Sequence, residues 1–365
     1  MKKIYFRCDN SKIIGLGHIF RCLTIAEELS KIGYECSFLT SKSPRQSFWK
    51  DNFFISEIIT LPKYNFNLRY DQLRHENSPR FIAFEKKDIK NIFALKDQIQ
   101  KDSIVVVDHY LLGQYWEIAA RTIFKKIIVI DDLLNSPHNC DLLIDPNIRS
   151  RLDTERIKLK YKNIKMLTGK NFVIIRPGFK KARQRIINQL NIRKKIISCL
   201  VLFGGFGNNE NIYNALSCLL RNRLSIKIHA VIERNNKKFT QLKNIADKNK
   251  NIKLYNFTKN IEQIMEKCDI AIGALGTNTW ERCYLGIPAL VMVNRYNQSR
   301  FLDNLVDQNI IFDLGKTITD KKIINGFNHF QLFKKNYLKT RERLMKKIDG
   351  KGNQRITKEL IKFLS

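Results

Sequence analysis

Residues Gly15-Leu16-Gly17-His18-Ile19-Phe20-Arg21 place two glycines, a histidine and an arginine within one short stretch. Glycine lets a backbone approach a ligand closely. A short apolar strand (Ile4, Tyr5, Phe6) precedes the stretch. A helix-period pattern follows it (Ile19, Cys22, Leu23, Ala26, Leu29), with Gly33 as the stop. A helix beginning there presents unpaired N–H groups and a positive dipole end. His18 at that mouth is a candidate proton carrier, because imidazoles titrate near neutrality. The other reading is a binding loop whose histidine packs or hydrogen-bonds, and this segment by itself leaves both open.

Three further loops follow apolar strands. Asp108-His109-Tyr110 comes after Ile104 to Val107. Phe203-Gly204-Gly205-Phe206-Gly207 comes after Leu200 to Leu202. Gly273-Ala274-Leu275-Gly276-Thr277 leads into Trp280-Glu281-Arg282 and Leu285-Gly286-Ile287-Pro288. The two glycine loops of the second half suit a diphosphate, since backbone N–H groups wrap phosphate only where no side chain intervenes. Thr277 or Asn278 is positioned to cap the next helix. Glu281, one turn inside it, is a candidate acceptor for a ribose diol. Each loop alone is equally a tight turn. Four of them at strand ends favour binding.

Other motifs fail. Gly315-Lys316-Thr317 is no P-loop, because Ile310 stands where its first glycine belongs. Neither H-E-x-x-H nor G-x-S-x-G is present. His75, His138, His229 and His329 are isolated, and His229 lies in an apolar strand pattern that makes it structural. Asp131-Asp132 reads as a turn cap or a substrate contact rather than a metal ligand pair. No metal and no cofactor is expected.

The elements that must position these residues alternate. Strands are expected at 3–8, 35–40, 103–108, 126–131 and 141–145, then at 196–203, 226–232, 252–256, 269–273 and 288–293, with helices between them. Such alternation implies α/β architecture, with two doubly wound parallel-sheet domains. Ligands in such folds bind beyond the C-terminal strand ends, often between domains. The expected division is a first domain over 1–170, with a charged insertion at about 61–100, then a linker over 171–195. A second domain over 196–328 and C-terminal helices over 329–365, broken at Gly350 to Gly352, complete it. The insertion carries Tyr64, Phe66 and Tyr70 among its basic residues, candidates to line the sugar side or to cover the domain edge.

The chain has 365 residues, 44% of them hydrophobic, enough for two cores. Lys and Arg number 66 against 34 Asp and Glu, a net charge of +32. That charge is spread along the whole length among many Ile and Asn, with no nucleic-acid-binding motif, so it argues for attraction of an anionic small molecule rather than for nucleic acid. The eight cysteines form no C-x-x-C pair, and several fall on apolar faces. Reduced thiols in a cytoplasmic protein are expected. No signal-peptide pattern and no apolar run long enough to span a membrane is present, and the chain is expected to be a monomer.

Together the loops resemble the cytoplasmic UDP-sugar hydrolase family of pseudaminic acid biosynthesis, which acts on UDP-2,4-diacetamido-2,4,6-trideoxy-β-L-altropyranose. That family is related to MurG-type glycosyltransferases and to the spore-coat SpsG proteins. The matching pieces are Arg7-Cys8-Asp9, Gly15 to Arg21, Asp108-His109-Tyr110, Asp131-Asp132, Phe203-Gly204-Gly205, Gly273 to Glu281 and Asn297-Gln298. The resemblance implies a two-domain GT-B fold facing a cleft, with the sugar-side domain over 1–170 and the UDP-binding domain over 196–328, and metal-independent, inverting hydrolysis. It implies His18 as general base, with Tyr110 and Asn297 at the reacting sugar. It implies UDP contacts at Gly204, Gly205, Leu275, Gly276, Thr277 and Glu281. By the same resemblance Asp9, Gly15, Gly17, Arg21 and Gln298 serve sugar or phosphate. The chain departs from the family at Phe206-Gly207-Asn208, where Ser-Asp-Pro is usual, and at Leu275 in the Gly-Ala-Gly-Gly position. Three rivals remain: a MurG-like transferase using the same loops for an acceptor hydroxyl, a nucleic-acid-binding protein relying on the charge, and a catalytically inactive nucleotide-sugar sensor, against which the presence of both His18 and Tyr110 argues.

Overall fold

The computed structural model describes residues 3–9, 15–41, 52–62, 78–189, 198–204, 209–233, 238–293, 302–330 and 337–364. The chain forms two compact units, Met1–Ile174 with Lys351–Ser365, and Ile175–Gly350.

The first unit is built on a seven-stranded parallel sheet. Its strands are β1 (Lys3–Cys8), β2 (Glu35–Ser41), β3 (Ile55–Leu61), β4 (Ile104–Asp108), β5 (Lys126–Ile130), β6 (Leu142–Asp145) and β7 (Lys165–Thr168). They lie in the order β3-β2-β1-β4-β5-β6-β7. Period-2 alternation sends Ile4, Phe6 and Cys8 to one face and Tyr5 to the other. The first face packs on α1 (Gly17–Ser30), through Ile19, Cys22, Ala26 and Leu29. Gly33 ends that helix, with φ of +90°. The opposite face is covered by α2 (Pro79–Phe93) and α3 (Gln114–Ala120), with Phe81, Ile89 and Trp116 buried against Val105 and Val107. A further helix, α4 (Arg151–Lys160), joins β6 to β7.

The expected insertion is therefore corrected for its described part. Residues 78–100 form the crossover into β4, and their charged appearance is the solvent face of an amphipathic helix. Residues 63–77, with Tyr64, Phe66, Tyr70 and His75, lie outside the described residues. The expected linker is corrected too. Within it, α5 (Pro177–Gln189) is a regular helix of the second unit whose stripe Phe179, Ala182, Ile186 is buried.

The second unit has a six-stranded parallel sheet. Its strands are β8 (Ser198–Leu202), β9 (Lys227–Ile232), β10 (Ile252–Asn256), β11 (Ile270–Ala274), β12 (Ala289–Met292) and β13 (Ile311–Asp313), in the order β10-β9-β8-β11-β12-β13. Helices α6 (Asn209–Arg221), α7 (Phe239–Asp247), α8 (Glu262–Met265), α9 (Asn278–Tyr284), α10 (Leu302–Asp307), α11 (Asp320–His329) and α12 (Tyr337–Lys347) connect and cover it. The last helix, α13 (Gly352–Leu364), belongs to the first unit, where Ile356 and Leu360 join the core beside α1. Gly352 is required there, because a Cβ would lie 2.1 Å from the Val173 carbonyl oxygen. Among the described residues no helix is long and apolar enough to cross a membrane.

Candidate functional site

Each sheet has one point where neighbouring strands send their connections in opposite directions, the place at which doubly wound sheets take ligands. In the first unit it lies between β1 and β4, where Cys8 pairs with Asp108. In the second it lies between β8 and β11, where Leu202 pairs with Gly273. The four glycine- and histidine-bearing loops follow the strands at these two points.

In the first unit, α1 begins at Gly17, so His18 and Arg21 stand one turn apart on one face. His18 is 2% exposed and its Nδ1 is hydrogen-bonded to Asp108 Oδ1. Arg21 grips the same carboxylate, Nη2 to Oδ1 at 2.7 Å and Nε to Oδ2 at 2.9 Å. Its Nη1 donates to Asp132 Oδ2 at 2.7 Å. Burial alone would raise the Asp108 carboxyl, but Arg21 and His18 reverse this and hold it well below the usual carboxylate range. A carboxylate fixed in the ionised form requires the proton on Nδ1, so we assign Nε2 as the basic nitrogen of His18. The Tyr110 ring stands edge-on to His18, with centroids 4.2 Å apart and planes at 88°.

The neighbouring polar residues bond to one another. His109 has its Nε2 3.1 Å from Asp9 Oδ2, while its Nδ1 accepts the Leu111 N–H at 3.1 Å. Burial lowers its pKa, so it is a neutral donor to Asp9. Asp9 also pairs with Arg7 at 2.8 Å and accepts the Ser41 N–H at 2.6 Å. Asp9 and Arg21, expected at sugar or phosphate, are both buried in ion pairs at the strand ends. Gly15, with φ of +93°, and Gly17 shape the turn into α1. Asp131 caps its own turn through the Leu133 and Leu134 N–H groups. His138 is not isolated. It bridges Glu117 Oε1 at 2.6 Å and Asp131 Oδ2 at 3.2 Å.

In the second unit, Gly273 lets β11 lie against β8, since a Cβ would meet the Leu202 carbonyl oxygen at 2.0 Å. Gly204 has φ of +77° with open space around it. Leu275 is buried, and Gly276 is exposed with its N–H on Thr279 Oγ1 at 3.2 Å. The expected cap is thus corrected: Thr277 makes no side-chain capping bond, and Thr279 supplies the hydroxyl that orders this turn. Glu281, expected at the nucleotide, has a partner the sequence did not show. Arg176 holds both of its oxygens, Nε to Oε1 at 2.5 Å and Nη2 to Oε2 at 2.9 Å, and Glu281 is 1% exposed, so its charge is already matched. Gly205, Phe206, Gly207, Asn208, Asn297 and Gln298 lie outside the described residues. What the sequence did not show is Asp108 as the partner of His18 and Arg176 as the partner of Glu281, because the members of each pair are distant along the chain.

Residues 199–353 match the glycosyltransferase family 28 C-terminal domain. Over its whole length the chain superposes on the crystal structure of MurG from Acinetobacter baumannii, with a TM-score of 0.61, 14% identity, and 99% and 100% of the two chains covered. The fold is GT-B. In sequence the chain is 23% identical over 306 residues to the uncharacterized protein MJ1062 of Methanocaldococcus jannaschii, covering 83% of this chain and 58% of that one. This GT-B chain therefore spans little more than half the length of that relative. It is also 23% identical over 267 residues to the UDP-2,4-diacetamido-2,4,6-trideoxy-beta-L-altropyranose hydrolase of Campylobacter jejuni, covering 73% of this chain and 82% of that one.

Proposed function

We propose that this chain is a nucleotide-sugar enzyme that hydrolyses a UDP-diacetamido-sugar, of the UDP-2,4-diacetamido-2,4,6-trideoxy-β-L-altropyranose type, to UDP and the free sugar. The observation that carries the reading is the His18–Asp108 pair at the switch point of the first sheet. A base whose far nitrogen is held by an ionised carboxylate is built to take a proton and to tolerate the resulting charge. The likeness to the Campylobacter jejuni hydrolase supports the choice of water and of a diacetamido sugar.

In this reading water attacks the anomeric carbon opposite UDP while His18 Nε2 removes its proton. The carbon–oxygen bond to the phosphate breaks as the new one forms, so the configuration inverts. Asp108 stabilises the imidazolium, Arg21 keeps Asp108 ionised, and Tyr110 orients the imidazole. The backbone at Gly204, Gly205, Leu275, Gly276 and Thr277 approaches the diphosphate of UDP, whose negative charge grows as it departs. Asn297 and Gln298 remain proposed sugar-side contacts. His18→Ala is expected to lower kcat by about 10² to 10⁴-fold, the usual contribution of a general base, with UDP affinity unchanged. Near-normal turnover would remove His18 from the role.

A second reading is a glycosyltransferase that uses the same base on an acceptor hydroxyl. The family 28 match over residues 199–353 favours it. Release of UDP from the sugar nucleotide in the absence of any acceptor separates the two.

A further inference from the structure

The second sheet carries a buried cation that the scheme above does not use. Arg282, on α9, is 1% exposed. Its Nη2 donates to the Ala274 carbonyl oxygen at 3.2 Å and to Thr279 Oγ1 at 3.1 Å. Its Nε and Nη1 are buried with no hydrogen-bond partner among the described residues. The adjacent carboxylate, Glu281, is held at both oxygens by Arg176. Buried guanidinium groups are ordinarily paired, because an uncompensated charge in a dry interior is costly. A chain that keeps one unpaired has a use for the charge or for a partner that arrives later.

Its position indicates the use. A Cβ on Gly273 would come within 3.2 Å of Arg282 Nη1, so the guanidinium lies directly against the glycine end of β11. Gly273 is paired with Leu202, two residues before the open glycine turn at Gly204. Thr279 Oγ1 accepts from Arg282 Nη2 and from the Gly276 N–H, so one hydroxyl ties the cation to the exposed loop. Burial pushes the guanidinium down to about 10, which leaves it charged at neutral pH.

We propose that Arg282 is the positioning charge for the diphosphate of the nucleotide: a fixed cation behind the Gly273–Thr279 loop that puts positive potential at the ends of β8 and β11 and orders the loop through Thr279. The inference rests on reading the second unit as the holder of UDP. Arg282 acts through the loop and the field rather than by touching the phosphates. The anion adds to the compensation given by Glu281 where Nε and Nη1 lack a hydrogen-bond partner among the described residues, so the residue serves binding at the expense of the ligand-free fold.

The test compares UDP with uridine, which has no phosphates. Binding of each to wild-type, Arg282→Met and Arg282→Gln is followed by calorimetry and ligand-observed NMR, with Tm measured without ligand. Gln keeps a donor for Ala274 and Thr279, and so serves if the Met variant does not fold. Expected is a loss of UDP affinity of tenfold or more in the neutral variants, with uridine affinity unchanged and Tm equal to or above that of wild-type. Equal UDP affinity in a folded neutral variant overturns the proposal. So does a parallel loss of UDP and uridine binding with a lowered Tm, the signature of a purely structural arginine. If wild-type binds uridine and UDP equally, or neither, the reading of the second unit fails and takes this inference with it.

Discussion

At the scale of single residues, the first unit turns on one carboxylate. Asp108 faces Arg21 and His18 together, and its pKa is held down by both against the effect of burial. Asp108→Asn keeps the shape but loses the charge that fixes the proton on Nδ1. We expect kcat to fall by about 10² to 10⁴-fold, comparable to loss of the base itself. Measured well below the Tm of the variant, UDP affinity should stay within about twofold. A fall in activity that merely tracks the folded fraction would assign Asp108 to stability. His18 was legible in the sequence because a histidine between a glycine turn and an amphipathic helix has a local signature. Asp108 as its partner was not, because ninety residues separate them and only the pairing of β1 with β4 brings them together. Glu281 is a second case: its helical position was legible, but its partner Arg176, from a stretch that resembled a linker, was not.

At the scale of elements, the strands legible in the sequence were the buried ones. β4, β5 and β8 are nearly continuous apolar runs, and β1 carries the apolar run Ile4-Tyr5-Phe6 before Arg7, all of them covered on both faces. Three strands were not expected: β3, β7 and β13. Each lies at an edge of its sheet, and residues such as Glu57 and Lys165 break the apolar pattern. The loop after β5 is secured by another buried ion network. Burial would lower the His138 imidazole, but Glu117 and Asp131 raise it to about 10. A group raised in the folded state gives stability that is fully present below its unfolded pKa of about 6.5. That stability is lost as pH climbs through the folded value. The Tm of the wild-type protein should therefore decline between about pH 6.5 and 10. His138→Gln should lower Tm at pH 6 and flatten that decline. An equal slope in both proteins would mean that His138 is not the charged clamp.

At the scale of the whole molecule, the chain crosses from the first unit to the second and returns. The alternation of strands and helices made two doubly wound units legible, and the break at Gly350 to Gly352 marked the start of the last helix. That α13 completes the first unit was not legible, because an amphipathic helix does not name its partner. Removing Lys351–Ser365 takes Ile356 and Leu360, both at most 2% exposed, out of the core beside α1. At about 1.5–3 kcal/mol per buried side chain, the first unit should lose on the order of 3–6 kcal/mol. Hydrogen exchange should accelerate in β1, β4 and α1 while β8 and β11 keep their protection. Uniform acceleration would deny the two-unit division. The net charge of +32 would attract the anionic sugar nucleotide of the proposed reaction. The measurement that bears most directly on the account is proton NMR of the protein with UDP-2,4-diacetamido-2,4,6-trideoxy-β-L-altropyranose and no acceptor, in wild-type and His18→Ala forms. The account predicts prompt UDP and free sugar of inverted anomeric configuration from the wild-type, and a loss of about 10² to 10⁴-fold in the variant. An intact sugar nucleotide in the presence of wild-type protein that binds UDP would contradict hydrolysis and favour transfer to an acceptor.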